Sequence, residues 1–136
     1  MIGEPGPAPC VLLIEDEAGL LEILEINFRG AGFRVATAAD GVTAWQQFER
    51  AGPDLLILDL NLPQMSGFRL LELVRSESDV PVVILTAYDF AEAEEVARFR
   101  PDAFVKKPFD VQSLIDKARR LVDRKPADGG PGNRRR

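Results

Sequence analysis

Histidine is absent from this chain, and cysteine occurs once, at Cys10. A disulfide within the chain, a zinc site built from thiolates or imidazoles, and a catalytic pair that needs histidine are therefore excluded. Any metal site must be lined by oxygen atoms. Because Cys10 opens an apolar run, we interpret it as a small buried side chain without a reactive role.

Long apolar runs are also missing. No stretch approaches the roughly 20 apolar residues of a membrane-spanning helix, and the N-terminus lacks the basic and apolar regions of a signal peptide. We therefore expect a cytoplasmic protein with no membrane partner.

The chain lacks an excess of positive charge. Its net charge is −5, and residues 1–123 carry −9, because residues 124–136 hold five basic side chains and one acidic one. An acidic domain repels a phosphate backbone, so we do not expect direct binding to nucleic acid. Clustered carboxylates attract a divalent cation instead.

The length and composition fit one globular domain. The chain has 136 residues, of which 46% are hydrophobic and 29% charged, enough for one core and little more. Residues 1–9, with three prolines and two glycines, are interpreted as a disordered lead-in, and residues 124–136 as a flexible basic tail. The ordered domain is expected at residues 10–123.

Short apolar runs alternate with segments of helical periodicity in that domain. The first, third and fourth runs are almost continuously apolar, as expected of central parallel strands, whereas the second and fifth suit the edges of a sheet. Right-handed βα units in succession predict an α/β fold with a doubly wound sheet. The expected strands are residues 10–14, 33–38, 55–58, 82–85 and 103–105, and the expected helices are residues 17–30, 41–50, 67–76, 90–99 and 111–123.

Helix boundaries are marked by residues with special backbone or capping preferences. Four polar residues stand where a helix needs an N-terminal cap, and two glycines follow helices where a left-handed residue is common. The predicted caps are Asp40, Ser66, Asp89 and Asp110, and the glycines are Gly32 and Gly52.

Reactive side chains follow four of the five predicted strands: Glu15 and Asp16, Asp59, Thr86 and Lys107. A doubly wound sheet binds ligands beyond the carboxyl ends of its strands. Three ionised carboxylates there require a cation, and Mg²⁺ with oxygen ligands leaves room for phosphate oxygens. One aspartate after a strand is usually only a turn or cap. The complete set predicts phosphoryl transfer to Asp59, with Lys107 neutralising charge and Thr86 donating a hydrogen bond.

The domain resembles the receiver domain of two-component response regulators over residues 10–123. Four segments carry the resemblance: Val11-Leu-Leu-Ile-Glu-Asp-Glu, Leu58-Asp-Leu-Asn-Leu-Pro-Gln-Met-Ser-Gly, Leu85-Thr-Ala and Phe104-Val-Lys-Lys-Pro-Phe. They look like the family's acidic pair, phosphoacceptor loop, switch hydroxyl and lysine-proline motif. The implied fold is a flavodoxin-like (βα)5 three-layer sandwich with strand order 2-1-3-4-5.

The resemblance also implies roles for the site residues. Asp59 would accept a phosphoryl group from the phosphohistidine of a sensor kinase or phosphotransfer protein. Asp16, Asp59 and the carbonyl of Asn61 would bind Mg²⁺, with Glu15 holding it through water. Lys107, which precedes Pro108 through a bond that is cis in the family, matches the family lysine better than Lys106 does.

Signalling in the family couples this chemistry to a distant surface. By resemblance, Phe104 would be the aromatic residue that swings inward; the alternative is that it always lies in the core. Asn61 and Tyr88 would flank the path of attacking water and tune the phosphoryl lifetime. The fourth helix, fifth strand and fifth helix would contact a downstream protein, and a homodimer is compatible. Arg100-Pro-Asp-Ala replaces the usual Gly-Ala-Asp turn, so the fourth helix is expected to be displaced.

Other functions remain open at this stage. The leading prediction is a phosphoacceptor signalling domain, not an enzyme, and the alternatives are a phosphate-independent scaffold or the receiver fragment of a larger regulator. A haloacid-dehalogenase-like hydrolase is disfavoured because Asn61 stands where its general acid is needed. A flavin carrier is disfavoured because Glu15 and its acidic neighbours would repel the flavin phosphate.

Overall fold

The computed structural model describes residues 7–87 and 90–124, with the side chains of these except residues 90–93. Strands and helices alternate throughout, and no helix in these ranges is long and apolar enough to cross a membrane. The strands are β1 (Cys10–Ile14), β2 (Arg34–Ala38), β3 (Leu55–Asp59), β4 (Val82–Thr86) and β5 (Ala103–Lys106), and the helices are α1 (Ala18–Gly30), α2 (Gly41–Ala51), α3 (Gly67–Glu77), α4 (Phe90–Ala97) and α5 (Val111–Asp123). The predicted disordered ends, except residues 7–9 and 124, lie outside the described residues.

The five strands form one parallel sheet in the order β2-β1-β3-β4-β5. Every residue of β1, β3 and β4 is buried, as their apolar sequences require of strands covered on both faces. The edge strand β5 alternates between half-buried and exposed residues. The predicted doubly wound fold and strand order are confirmed.

Two apolar cores lie on opposite faces of the sheet. Val11 and Leu13 point to one face, where they pack with residues of α1 and α5. Leu12 and Ile14 point to the other face, where α2, α3 and α4 supply the packing partners. Alternation along the strands therefore divides the core into the two halves of a three-layer sandwich.

Side-chain caps begin the helices largely as the sequence predicts. Asp40, Ser66 and Asp110 each accept a hydrogen bond from the amide three residues further on, which satisfies one otherwise unpaired helical amide. The predicted cap Asp89 lies outside the described residues. Helix α1 begins one residue later than predicted, because Glu17 is itself the cap and accepts from the amide of residue 20 at 2.7 Å.

Left-handed residues end two helices and shape the turn before β5. Gly32 and Gly52 have φ of 99° and 55°, as predicted, and Arg100 has φ of 57°. Arg100 thus adopts a conformation that favours glycine, at the position where the resemblance had suggested one. The prediction that α4 reaches residue 99 is wrong: it ends at Ala97, because the amide of Phe99 turns back to the carbonyl three residues earlier.

Arg75, near the end of α3, holds this turn in place. Its side chain is 8% exposed. Its guanidinium donates to the carbonyl oxygens of Phe99 at 2.8 Å, Arg100 at 3.0 Å and Val80 at 2.7 Å, and lies 3.7 Å from the Asp102 carboxylate. The buried guanidinium of Arg75 therefore connects the end of α3 to the segments that lead into β4 and β5.

Candidate functional site

The carboxyl ends of β1, β3 and β4 carry polar side chains that are nevertheless buried. Glu15, Asp59 and Thr86 are 1%, 4% and 6% exposed, whereas Asp16 is exposed. Glu15 follows the buried strand β1, and Asp59 and Thr86 are the last residues of the buried strands β3 and β4, so all three side chains are buried with those strands. Buried acidic side chains are rare unless they are paired or bind a metal, so this rim is the leading candidate for a functional site.

Lys107 pairs with both buried carboxylates. Its Nζ lies 3.1 Å from Asp59 Oδ2 and 3.1 Å from Glu15 Oε1. The contact to Asp59 has hydrogen-bond geometry. The backbone helps to aim the side chain, because the Lys107 amide donates to the Thr86 carbonyl at 2.7 Å. One cation therefore bridges the ends of β1 and β3 from the segment that follows β5.

The other oxygens of Asp59 and Glu15 accept hydrogen bonds from backbone amides. Asp59 Oδ1 accepts from the amide of Asn61 at 3.0 Å, and Glu15 Oε2 accepts from the amide of Glu17 at 3.1 Å. Glu15 Oε1 is buried and lies 3.1 Å from Lys107 Nζ, its ion-pair partner. Such an oxygen is stabilised by an additional donor or cation.

Burial and charge shift the proton affinity of this pair. Burial raises the pKa of Glu15, and the nearby Asp59 charge adds to this, whereas the Lys107 ammonium acts in the opposite direction without cancelling the rise. Burial alone would lower the pKa of Lys107, but Glu15 and Asp59 outweigh it, so the pKa of Lys107 is raised. The lysine therefore stays charged at neutral pH.

The donor set fits a small hard cation. Glu15, Asp16 and Asp59 each offer a carboxylate oxygen, and these three atoms lie within 4.8 Å of one another. Mg²⁺ takes oxygen ligands, commonly one or two carboxylates with several waters. The exposed Asp16 gives the cluster an opening to solvent, and the two buried carboxylates share the single charge of Lys107. The coarse prediction of an acidic pocket able to hold a metal agrees with this arrangement.

The structure separates the two adjacent lysines. Lys107 contacts the carboxylates, whereas Lys106 is exposed and lies beside Thr86 in the sheet register. The bond between Lys107 and Pro108 is cis. The geometry therefore favours Lys107 over Lys106, as the sequence analysis did.

Phe104 is 42% exposed, so it is not a core side chain in this structure. Phe104 of β5 is paired with Ile84 of β4, and two residues further along the two strands Lys106 is paired with Thr86. Because side chains alternate along a strand, Phe104 and Thr86 belong to the same face of the sheet. Tyr88 lies outside the described residues.

Two glycines beside the rim were missed by the sequence analysis. Gly41 at the start of α2 and Gly67 at the start of α3 both approach the backbone that follows Asp59. Gly67 stood inside a recognised motif without a role, and the Asp40-Gly41 pair was interpreted only as a helix start. Only the close approach of non-neighbouring backbone shows their importance.

The model of the response regulator receiver domain family matches residues 11–119. The sensory transduction protein RegX3 of Mycolicibacterium smegmatis is 38% identical over 116 residues, covering 84% of this chain and 50% of that protein. The probable transcriptional regulator ycf27 of Guillardia theta is 36% identical over 115 residues, covering 84% and 45%. The chain thus spans about half the length of these curated relatives.

Solved receiver domains share the fold. The receiver domain of the Francisella response regulator 1452 superimposes with a TM-score of 0.79 at 27% identity, covering 87% of this chain and 99% of that one. The chemotaxis response regulator CheY4 of Vibrio cholerae gives a TM-score of 0.78 at 28% identity, with 84% and 98% coverage. With its strand order, its acidic rim and a family match over most of its length, the chain belongs to the response regulator receiver domain family.

Proposed function

We propose that Asp59 is the phosphoacceptor of a two-component signalling domain and that its phosphorylation requires Mg²⁺. The carrying observation is that Lys107 Nζ lies 3.1 Å from both Asp59 and Glu15, beside three carboxylate oxygens within 4.8 Å of one another. A lysine ammonium and an acidic cluster thus surround one buried carboxylate, which supports the proposal that Asp59 is the nucleophile. Such an arrangement suits attack by a carboxylate on phosphorus.

The residues of this chain divide the reaction between them. A carboxylate oxygen of Asp59 forms a bond to phosphorus while the phosphorus–nitrogen bond of a donor phosphohistidine breaks, and the leaving imidazole nitrogen recovers a proton. Lys107 neutralises charge on the transferring oxygens, and the Thr86 hydroxyl donates to one of them. The product is an acyl phosphate on Asp59 and a neutral histidine on the partner.

Asp16, Asp59 and the carbonyl of Asn61 are the proposed Mg²⁺ ligands, and Glu15 would hold the ion through water. A bound Mg²⁺ would supply positive charge that offsets the negative charge of the phosphoryl oxygens. Among the described residues, Lys107 is the cation that pairs with these carboxylates, and its single charge does not balance theirs. We expect phosphorylation to depend on Mg²⁺ for that reason.

The proposed output is a change of surface at α4, β5 and α5. Movement of the Thr86 hydroxyl toward the phosphoryl group would vacate space on the face of the sheet that Phe104 shares, and the exposed ring could then turn inward. A ring without a hydroxyl would be held there by burial alone. A single fluorinated phenylalanine at position 104 should therefore change its ¹⁹F resonance on phosphorylation.

The primary test uses acetyl phosphate and Mg²⁺ with intact-mass measurement. Wild type should gain one acid-stable, base-labile phosphate, and Asp59→Asn should gain none. Asp116→Asn is the matched control, because Asp116 is an exposed aspartate on α5 and should leave phosphorylation intact. Modification of Asp59→Asn to the wild-type extent would refute Asp59 as the acceptor.

Combined with a Mg²⁺-binding measurement, the same test bears on the scaffold alternative. Magnesium binding without phosphorylation, either from acetyl phosphate or from a sensor kinase, would favour a phosphate-independent scaffold. A second candidate is that the domain acts within a larger regulator, which is favoured by relatives about twice as long as the matched segment. For a phosphorylated receiver domain, the proposed partners are a sensor kinase or phosphotransfer protein, a downstream protein and a second copy of the chain.

A further inference from the structure

The loop that follows Asp59 is confined between the starts of two helices. We name residues 60–66 the acceptor loop. A Cβ atom added to Gly41 would lie 2.2 Å from the Met65 carbonyl oxygen, and one added to Gly67 would lie 2.7 Å from Leu60 Cα. Non-bonded atoms do not approach so closely, so any side chain at either glycine must displace the loop backbone.

Hydrogen bonds fix the centre of the acceptor loop from both sides. The carbonyl of Pro63 accepts from the amide of Met65 at 2.8 Å and from the amide of Gly41 at 3.3 Å. The residue between Pro63 and Met65 is Gln64, with φ of 73°. A bond across two residues around a positive φ is the rare, strained form of γ-turn. Such strain persists only where the surroundings over-determine the conformation.

We propose that Gly41 is a positioning residue for the phosphoacceptor site. The missing side chain lets the first turn of α2 lie directly against residues 63–65, and the contact holds the strained turn that follows Asn61. This inference rests on the proposed function, in which the Asn61 carbonyl is a Mg²⁺ ligand. Mg²⁺ requires near-ideal octahedral geometry, so a displaced loop should weaken Mg²⁺ binding.

The conformation of Gly41 itself does not require glycine. Gly41 does not have a positive φ. It is the first residue of α2, and alanine is a better helix former than glycine. Local helix energetics therefore favour Gly41→Ala. Any loss in that variant arises from contact with the acceptor loop.

Gly30→Ala is the matched control. Gly30 is the last residue of α1, has no positive φ, and an added Cβ there meets nothing within 4 Å. The experiment measures the initial rate of phosphate gain from acetyl phosphate as Mg²⁺ is varied, with urea unfolding of each variant in parallel. For Gly41→Ala we expect the half-saturating Mg²⁺ concentration to rise about tenfold, since loss of a group that orients a metal ligand weakens metal affinity by about 10- to 100-fold. Gly30→Ala should match wild type.

The readouts separate positioning from folding. Urea unfolding at each Mg²⁺ concentration gives the folded fraction by which the rate is divided, because Mg²⁺ stabilises the folded state that binds it. A displaced ligand still shifts the half-saturating concentration after this correction. An unshifted value in Gly41→Ala, whatever its maximal rate, would overturn the proposal. If wild type and Gly30→Ala are not phosphorylated at all, it is the proposed function that fails.

A second variant tests whether loop strain is the link and guards against a failure of folding. Glycine adopts positive φ without strain, so Gly41→Ala/Gln64→Gly should recover part of the Mg²⁺ response that the single variant loses. Gln64→Gly alone should have a half-saturating Mg²⁺ concentration close to that of wild type. Equal Mg²⁺ responses in the single and double variants would show that the turn at Gln64 does not connect Gly41 to the site.

Discussion

Lys107 donates from Nζ to Asp59 Oδ2 at 3.1 Å, although the two residues are 48 positions apart in the chain. The contact joins the end of β3 to the segment after β5 across the intervening strand β4. Since the same ammonium also pairs with Glu15, it is the cation common to both buried carboxylates. Replacing it changes the charge balance of the whole rim.

Lys107→Met should slow phosphorylation from acetyl phosphate by about a hundredfold, because loss of one preorganised donor at a reacting centre has an effect of about that size. The change keeps the aliphatic stem but removes the charge. The neighbouring Lys106→Met, which alters an exposed lysine, should stay within twofold of wild type. Equal rates in the two variants would argue against a role for Lys107.

Glu15→Gln should separate stability from Mg²⁺ binding. The carboxylate is 1% exposed and burial raises its pKa. The ionised form is therefore disfavoured in the folded protein, and removing the charge should raise the free energy of unfolding in EDTA. Mg²⁺ should stabilise wild type more than the variant, since a ligand stabilises the state that binds it. Thermal unfolding with and without Mg²⁺ checks both signs; a variant less stable in EDTA would contradict the charge argument.

Arg75→Met should lower the free energy of unfolding by about 3 kcal/mol, since a buried guanidinium that donates to several carbonyls leaves them without partners when removed. Arg69→Met on the same helix is the control. Arg69 pairs with Glu72 while 60% exposed, and exposed ion pairs contribute at most about 1 kcal/mol. Urea unfolding measures both, and a similar small loss for the two arginines would be the opposing result.

Cys10 should react slowly with iodoacetamide while the protein is folded. It is 4% exposed, and burial raises the pKa of its thiol. We expect labelling at pH 8 to be at least about a hundredfold slower than in urea, because reaction requires opening of β1.

The pH dependence of this effect has a definite sign. A raised thiol pKa contributes stability below the unfolded-state pKa, and this contribution is lost as pH rises through the folded pKa. The advantage of wild type over Cys10→Ser in urea unfolding should therefore shrink above about pH 8.5. An advantage that grows with pH would contradict the assignment of a buried neutral thiol.

The sheet could be predicted because its strands are encoded locally. Continuous apolar runs predicted the central strands, and the polar residues at the ends of the predicted strands, such as Asp59 and Lys107, predicted the site. The α4 boundary could not be predicted, since α4 ends where Arg75 takes up the carbonyls of Phe99 and Arg100 from a helix about 25 residues away. The left-handed conformation of Arg100 could not be predicted either, because arginine does not favour that conformation.

Site chemistry followed from residue type, whereas site geometry did not. The position of Glu15 after β1 predicted that it lies at the carboxyl edge of the sheet, but only the fold shows that one of its oxygens is buried 3.1 Å from Lys107 Nζ. The contact of Gly41 with the acceptor loop joins two segments with no shared sequence signal. Backbone packing between distant segments is therefore the part that residue patterns do not encode.

Both ends of the sandwich emerge at the edge of the sheet opposite the acidic rim. The amide that opens β1 donates to Asp54, just before β3, and Arg124 after α5 lies 3.7 Å from Asp102, just before β5. Strands and the final helix each run the full height of the domain, roughly 17 to 20 Å. An affinity tag, fluorophore or surface tether introduced at Pro7 or Arg124 therefore enters the domain on the far side from Asp59, and leaves the rim open to the proposed kinase.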